Sequence, residues 1–341
     1  MVVESNKSRL PGLDGLRALF AIIILSGHIL QPDFAAWSEK PASYLPPCCV
    51  YLFFVLSGFM AGYKEDTVTS VPNYYRKRAK RILPLYYGYI FACLLTYFAI
   101  GEIDTVFNTC LPWYFTLVPQ IPFCSKADAI LPLVHLWYIG PLVMFYLLFP
   151  LIAISTGRKN RLGLYIAIGW VVLKCLLYLL VGKASFIYKL ISVSSFDCLF
   201  FGVWLGMTVK KGNSQLVSLG NNRPLGILIW ALFLLSGFYG DYIPSVIRND
   251  YMAILGGGLI INQLSLRPAV SLNNMVCNWI GSISYEIYVV QILLILLLSR
   301  LYVYTGGRWP VWLVFLMCML SVISVAYLVK PKRKSFILTG K

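Results

Sequence analysis

Apolar runs of roughly 17 to 23 residues recur along this 341-residue chain from one end to the other, separated by short polar stretches. That recurrence leaves few folds open. A helix of about 20 apolar residues spans the ~30 Å hydrocarbon layer of a bilayer, and within that layer every backbone N–H and C=O must be paired inside the protein. With 59% hydrophobic and only 12% charged residues, the chain reads as an all-α integral membrane protein.

The runs number ten, at 14–31, 47–63, 82–100, 135–154, 162–181, 190–209, 224–240, 250–265, 283–302 and 309–329. About ten transmembrane helices are therefore expected. No small-residue cleavage pattern follows the first run, so that run is expected to stay as a span. The polar connections reach about 15 to 35 residues, too short for an appended soluble domain. Residues 1–341 read as one transmembrane domain, with a cytoplasmic head at about 1–13 and a basic cytoplasmic tail at about 330–341. No internal repeat is visible, which disfavours a transporter built from inverted halves.

A net charge of +16 raises nucleic acid as a partner, but the distribution of the charge argues otherwise. If both termini are cytoplasmic, 20 of the 29 Lys and Arg residues fall on the cytoplasmic side. Among them are Lys64, Arg76, Lys77, Arg78, Lys80, Arg81, Arg158, Lys159, Arg161, Lys210 and Lys211. Seven fall on the opposite side, and Arg17 and Lys174 lie within spans. This positive-inside bias fits a multi-pass protein of the plasma or inner membrane and leaves no need for nucleic acid. The stretch 73–81 is denser in charge than orientation alone requires.

Residues 101–134, with "CLPWYFTLVPQIPFC", are too apolar for a simple loop and too short and Pro-rich for an ordinary span. The expectation is an external re-entrant or interfacial segment. Cys110 and Cys124 both fall in it, so an oxidising compartment would leave a disulfide open there. The other cysteines read as small hydrophobes. No spacing suggests a metal site.

Three constellations carry polar chemistry. In "LPGLDGLRALFAIIILSGHIL", residues 10–30, Arg17 and His28 are 11 residues apart. That is about three helical turns, roughly 16 Å along one face, and Asp14 lies on the same stripe. A snorkelling Arg with an Asp partner and a packed His would explain each singly. Three on one face of a span point instead to a site, with His28 as the natural general base. In "NYYRKRAKRILPLYY", residues 73–87, Arg78 and Arg81 face together, with Arg76, Lys77 and Lys80 around them. This fork suits phosphate oxygens or anionic lipid. "HLWYIGPLVMFYLLFP", residues 135–150, brings His135 and Trp137 to a span end, where Trp also serves as an interface anchor. Asp197, Glu286 and Lys174 are further intramembrane polar residues, and a pair among them would be structural.

Together these stretches resemble the acyltransferase 3 family of integral membrane acyltransferases over nearly the whole chain. "LDGLRALFAIIILSGH" resembles its opening motif, "YLFFVLSGFM" its second-span signature, and "RKRAKRILPLYY" its Arg-x-x-Arg motif followed by Ile-x-Pro. "HLWYIGPLVMFYLLFP", "FDCLFFGVWLG" and "IGSISYEIYVV" resemble later blocks in the same order. Two departures stand out: Leu142 and Val143 occupy positions often acidic in the family, and Gln291 replaces a late His.

The resemblance implies transfer of an acyl group, most often acetyl, from cytoplasmic acyl-CoA to a hydroxyl of a cell-surface or lipid-linked glycan. CoA would be a substrate, with no cofactor permanently bound. Arg78 and Arg81, with Arg76 and Lys80, would hold the nucleotide phosphates. His28 would take the proton of the acceptor hydroxyl, Arg17 would line the channel or polarise the acyl carbonyl, and Asp14 would fix Arg17. A transient acyl-enzyme on His28 or on Ser57 stays open beside direct transfer. A transporter or flippase of a lipid-linked sugar is the alternative from another class.

Overall fold

The computed structural model describes residues 10–31, 35–36, 45–64, 68, 70–125, 130–155 and 161–331. The described residues form helices and no strands. Most of the expected cytoplasmic head and tail lies outside them.

All ten apolar runs fall on helices. The first four long ones are α1 (Leu13–Ile29), α2 (Leu45–Lys64), α3 (Val71–Ala99) and, after two short helices α4 (Leu111–Phe115) and α5 (Gln120–Ser125), α6 (Ile139–Ser155). A 3-10 segment, Leu131–Tyr138, runs directly into α6. Then come α7 (Leu162–Val181), α8 (Phe186–Ser194), α9 (Phe196–Lys210), α10 (Ser214–Asn221), α11 (Arg223–Tyr239) and α12 (Ser245–Gln263). The short α13 (Met275–Gly281) leads into α14 (Ser284–Tyr304) and α15 (Val311–Val329).

Among the described residues, seven stretches are long and apolar enough to cross a membrane: α2, α3, Leu131–Ala153, α7, Phe186–Lys210, α14 and α15. The α10–α11 pair, bent by 73°, makes an eighth if it counts as one span. Two other apolar runs give weaker helices by the same standard. α1 has 17 residues, and the first two turns of α12 carry Arg248, Asn249 and Asp250. The count supported by length and composition is therefore seven or eight rather than ten.

The helix α3 extends further than the apolar run at 82–100. Ser70 caps it, its hydroxyl accepting from the Asn73 amide, and Pro72 sits in the first turn. Its 29 residues make about 43 Å of helix at 1.5 Å per residue, more than the hydrocarbon layer needs. The basic stretch 73–81 is thus the projecting first part of a spanning helix.

The segment after α3 folds back along it. Tyr86 and Tyr87, near the middle of α3, donate their hydroxyls to the carbonyls of Tyr114 and Phe115 at 2.7 and 2.9 Å. Those partners lie about 20 Å back from the end of α3 by helical rise, the geometry of a re-entrant segment. Cys110 and Cys124 are buried free thiols, so the structure contains no bridge between them. At the same end Arg300 reaches across to Glu102, Nη1 to Oε1 at 2.9 Å. These hydrogen bonds hold the Glu102 carboxyl below the usual carboxylate range.

Packing centres on α2 and α9, where a Gly-x-x-x-Gly pair on each helix, Gly58/Gly62 and Gly202/Gly206, lets the backbones touch. A Cβ at Gly58 would lie 1.9 Å from the Leu199 carbonyl oxygen, and one at Gly202 would lie 2.2 Å from that of Val55. Where α7, α9 and α12 meet, the fully buried Lys174 pairs with Asp197 and with Asp250, the latter at 2.8 Å. One ammonium thus serves two carboxylates, the arrangement a bilayer interior demands of charge.

Gly58→Leu is expected to separate α2 from α9 and lower stability by about 1–3 kcal/mol or more, as overpacking does. Gly88→Ala, with no atom within 4 Å of the added carbon, should be neutral or slightly stabilising. Thermal unfolding of both variants in detergent checks this. Equal melting of Gly58→Leu and wild type would show that the close approach is not required.

Candidate active site

The site begins at the N-terminal end of α1. Asp14 and Arg17, one turn apart, form an ion pair, Oδ1 to Nη1 at 2.5 Å, with side chains 15% and 22% exposed. Because Asp14 lies on the N-terminal side, this pairing draws the guanidinium away from His28. Arg81 and Tyr146 stand close enough to act on the charge of Arg17. Lys64, at the end of α2, is within the fields of Arg17, Arg78 and Arg81. Four cations from α1, α2 and α3 therefore converge at one end of the bundle. Sequence spacing exposed three of them and missed Lys64, which chain reversal between α2 and α3 brings in.

The cations are held by aromatic faces. The Arg78 guanidinium lies over the rings of Tyr74 and Tyr146, 5.1 and 4.6 Å from their centroids. Beside it, Lys80, Arg81, Pro84, Tyr285 and Glu286 line part of a cavity of about 190 Å³ between α3, α14 and the end of α15. Pro84 cannot donate to the Lys80 carbonyl, so the α3 wall of this cavity carries a missing rung. Arg81 and Lys330 both act on Glu286, so its carboxylate sits in the cationic wall instead of standing alone in lipid. Arg76 and Lys80 are exposed on α3.

Between the cations and His28 lies a band of tyrosines. Tyr138 stacks against Phe54 at 4.3 Å and lies 5.5 Å from Tyr288. Its hydroxyl is 3.4 Å from Ser57 Oγ, and Arg17 is close enough to act on it. Trp137 stacks on Phe123 at 5.0 Å with an interplanar angle of 15°, so it belongs to the aromatic packing of the re-entrant segment. Sequence reasoning passed over Tyr138, Tyr285 and Tyr288 and noted Gln291 only as the replacement of a late His. The last three recur at intervals of three on α14, a spacing that marks a shared face.

His28, half-buried, lies on the side of α1 that packs toward α14, where Gln291 is completely buried. The second histidine comes within electrostatic reach of His28. His135 is buried, and its Nε2 is 3.0 Å from the Val289 carbonyl oxygen. A carbonyl only accepts, so Nε2 carries the hydrogen and Nδ1 the lone pair. Tyr288 donates its hydroxyl to the His135 carbonyl, and the Tyr89 ring meets the imidazole edge-on at 5.5 Å. His135 therefore joins the 131–138 segment to α14. Asp197 is not drawn into this assembly, because its carboxylate is committed to Lys174. Among the described residues no group of histidines, cysteines and carboxylates could hold a metal ion.

The chain belongs to the acyltransferase 3 family, whose acyltransferase-domain model matches residues 10–330. It is 23% identical to the peptidoglycan O-acetyltransferase OatA of Listeria monocytogenes, over 83% of this chain and 49% of that protein. It is 24% identical to the O-acetyltransferase OatA of Staphylococcus aureus, over 95% of this chain and 57% of that one. A putative peptidoglycan O-acetyltransferase of Bacillus subtilis, YrhL, is 23% identical over 95% of this chain and 55% of its own length. The chain thus spans about half the length of the curated relatives it matches. No solved structure matches it.

His135→Phe, which keeps a flat ring but removes the donor to Val289, is expected to lower thermal stability by about 1–3 kcal/mol. Unfolding in detergent measures it, and wild-type stability would show that His135 does not tie α14 in place.

Proposed function

We propose that this chain moves an acetyl group from cytoplasmic acetyl-CoA to a hydroxyl of a cell-wall or lipid-linked glycan, with His28 as general base. The observation that carries the reading is the polarity of α1. Its N-terminal end enters a cluster of four cations with Lys64, Arg78 and Arg81, and its C-terminal end presents His28 to a largely neutral interior. Such a cluster suits the several phosphate charges of a CoA nucleotide. The cavity beside Arg81 offers the nucleotide a recess, and the thin pantetheine arm can thread the tyrosine band from there. The relatives named for peptidoglycan support a wall glycan as acceptor.

In the reaction, the acceptor oxygen attacks the thioester carbonyl carbon while His28 takes the hydroxyl proton. The new C–O bond replaces the C–S bond, and the proton passes to the departing CoA thiolate. Arg17 lies about 16 Å from His28 along the helix and is turned toward Asp14, too far to share a reacting carbonyl with that imidazole. Its role is to line the donor entrance, held there by Asp14. Ser57, bonded to Tyr138, remains on the path of the arm. The orientation that serves this reaction puts both termini in the cytoplasm and uses all ten apolar helices as membrane-embedded elements.

His28→Ala is expected to reduce acetyl transfer by at least 10²-fold, the scale of a lost general base, with insertion and melting preserved. Arg78→Ala combined with Arg81→Ala should raise the KM for acetyl-CoA more than it lowers kcat. Release of free CoA from proteoliposomes given acetyl-CoA and wall glycan measures both. Near-normal release by His28→Ala would end the base assignment, and absence of any CoA release by wild type would favour a sugar flippase.

A further inference from the structure

The cavity of about 190 Å³ beside Arg81 is bounded by three helices that are tied to one another around it. Tyr285 donates its hydroxyl to the Ile82 carbonyl at 2.9 Å, which joins α14 to α3. Lys330, between the lining residues Val329 and Pro331, donates Nζ to Ser282 Oγ at 2.8 Å, which joins the end of α15 to the chain just before α14. The walls are thus set before a ligand arrives, as those of binding recesses commonly are. Sites for whole drug-sized molecules run to roughly 300–1,000 Å³, so this one has room for one part of a larger ligand.

Its lining is mixed in a way that phosphate binding alone does not explain. Lys80 and Arg81 bring two exposed cations. Glu286, 8% exposed, adds a carboxylate, and it lies in the first turn of α14, where the helix dipole favours the ionised form. Among the described residues no ion pair includes it. A second acceptor is the Lys80 carbonyl, which Pro84 leaves without its helical N–H. Both groups only accept, so the occupant must supply N–H or O–H groups as well as negative charge. Pro84, Leu85, Tyr285 and Val329 complete the wall with rings and apolar side chains, which suit a flat heterocycle.

We propose that this recess takes the adenine of the acyl-CoA donor, its 6-amino group donating to the Glu286 carboxylate and the Lys80 carbonyl while the Lys80 and Arg81 side chains hold the adjoining phosphates. The proposal rests on the reading of acetyl-CoA as the donor. The 6-amino group carries two hydrogens, one for each acceptor, and no other part of CoA joins such a pair of donors to a flat ring. Glu286 is then the residue that reads the base. It is remote from the thioester, so its contribution falls on donor binding and leaves the chemical step alone. Cations alone would hold any nucleotide equally well, because phosphates carry no information about the base.

The test uses the full chain in proteoliposomes with wall glycan and two donors: acetyl-CoA, and its analogue with unsubstituted purine in place of adenine, which lacks only the 6-amino group. In the wild type the analogue is expected to show a KM about tenfold to a hundredfold higher, the range for a lost hydrogen bond to a charged group, with kcat unchanged. Glu286→Leu should raise the KM for acetyl-CoA by a similar factor and leave little further difference between the two donors, since the partners are then removed from either side. Glu286→Gln, which keeps an accepting oxygen, should restore most of the preference. If the leucine variant fails to fold, the comparison of donors on the wild type decides. Equal KM values for the two donors in the wild type, or an undiminished preference in Glu286→Leu, overturns the proposal. The same assay separates it from the reading beneath it. Turnover of both donors with equal KM leaves acetyl-CoA as donor and removes only the base recognition; no release of CoA from acetyl-CoA by the wild type ends the donor reading, and the adenine site falls with it.

Discussion

The contact of α2 with α9 governs where the rest of the bundle can stand. Between helices already surrounded by lipid there is little hydrophobic drive to associate, so cohesion comes from surface fit and from how closely backbones approach. Gly58, Gly62, Gly202 and Gly206 let each helix press its carbonyls onto the other. That seating fixes the neighbouring residues of α2, where Phe53 and Phe54 receive the ring of Tyr138 and Ser57 meets its hydroxyl. A shift of α2 by the width of one methyl group would reach the tyrosine band through two rigid rings.

The interior is divided by charge along α1. One end gathers guanidinium and ammonium groups against tyrosine faces, and the other uses imidazole, amide and hydroxyl groups that are neutral or can be. Keeping formal charges at the end nearest water limits the desolvation that buried ions incur. It also separates anchoring of an anionic donor from proton transfer, two tasks that favour opposite electrostatic settings.

Much of this was legible in the residues. Each apolar run became a helix because about 20 such residues in lipid have few alternatives, and the i, i+3 and i, i+11 spacings placed Asp14, Arg17 and His28 on one face. Helix ends were less legible. The polar start of α3 and the short α13 carry no apolar run to announce them. The partners of single polar residues were legible only as candidates: a structural pair among Lys174, Asp197 and Glu286 was open, but nothing local to Lys174 selects Asp197 or adds Asp250, since such pairs depend on which helices end up adjacent. Lys64 and Tyr138 were overlooked for the same reason.

The buried trio of Lys174, Asp197 and Asp250 bears on how the chain is made as well as on how it stands. α7 is mostly exposed to its surroundings, with 11% of its most apolar window buried, yet it carries a fully enclosed ammonium. During synthesis that ammonium enters the bilayer before either carboxylate, and Asp250 follows only 76 residues later. Until α9 arrives, α7 is a span with an uncompensated ion, a condition that lipid opposes and a neighbouring helix relieves. The trio thus ties the settling of α7 to the arrival of α9 and α12, which bring its counter-charges.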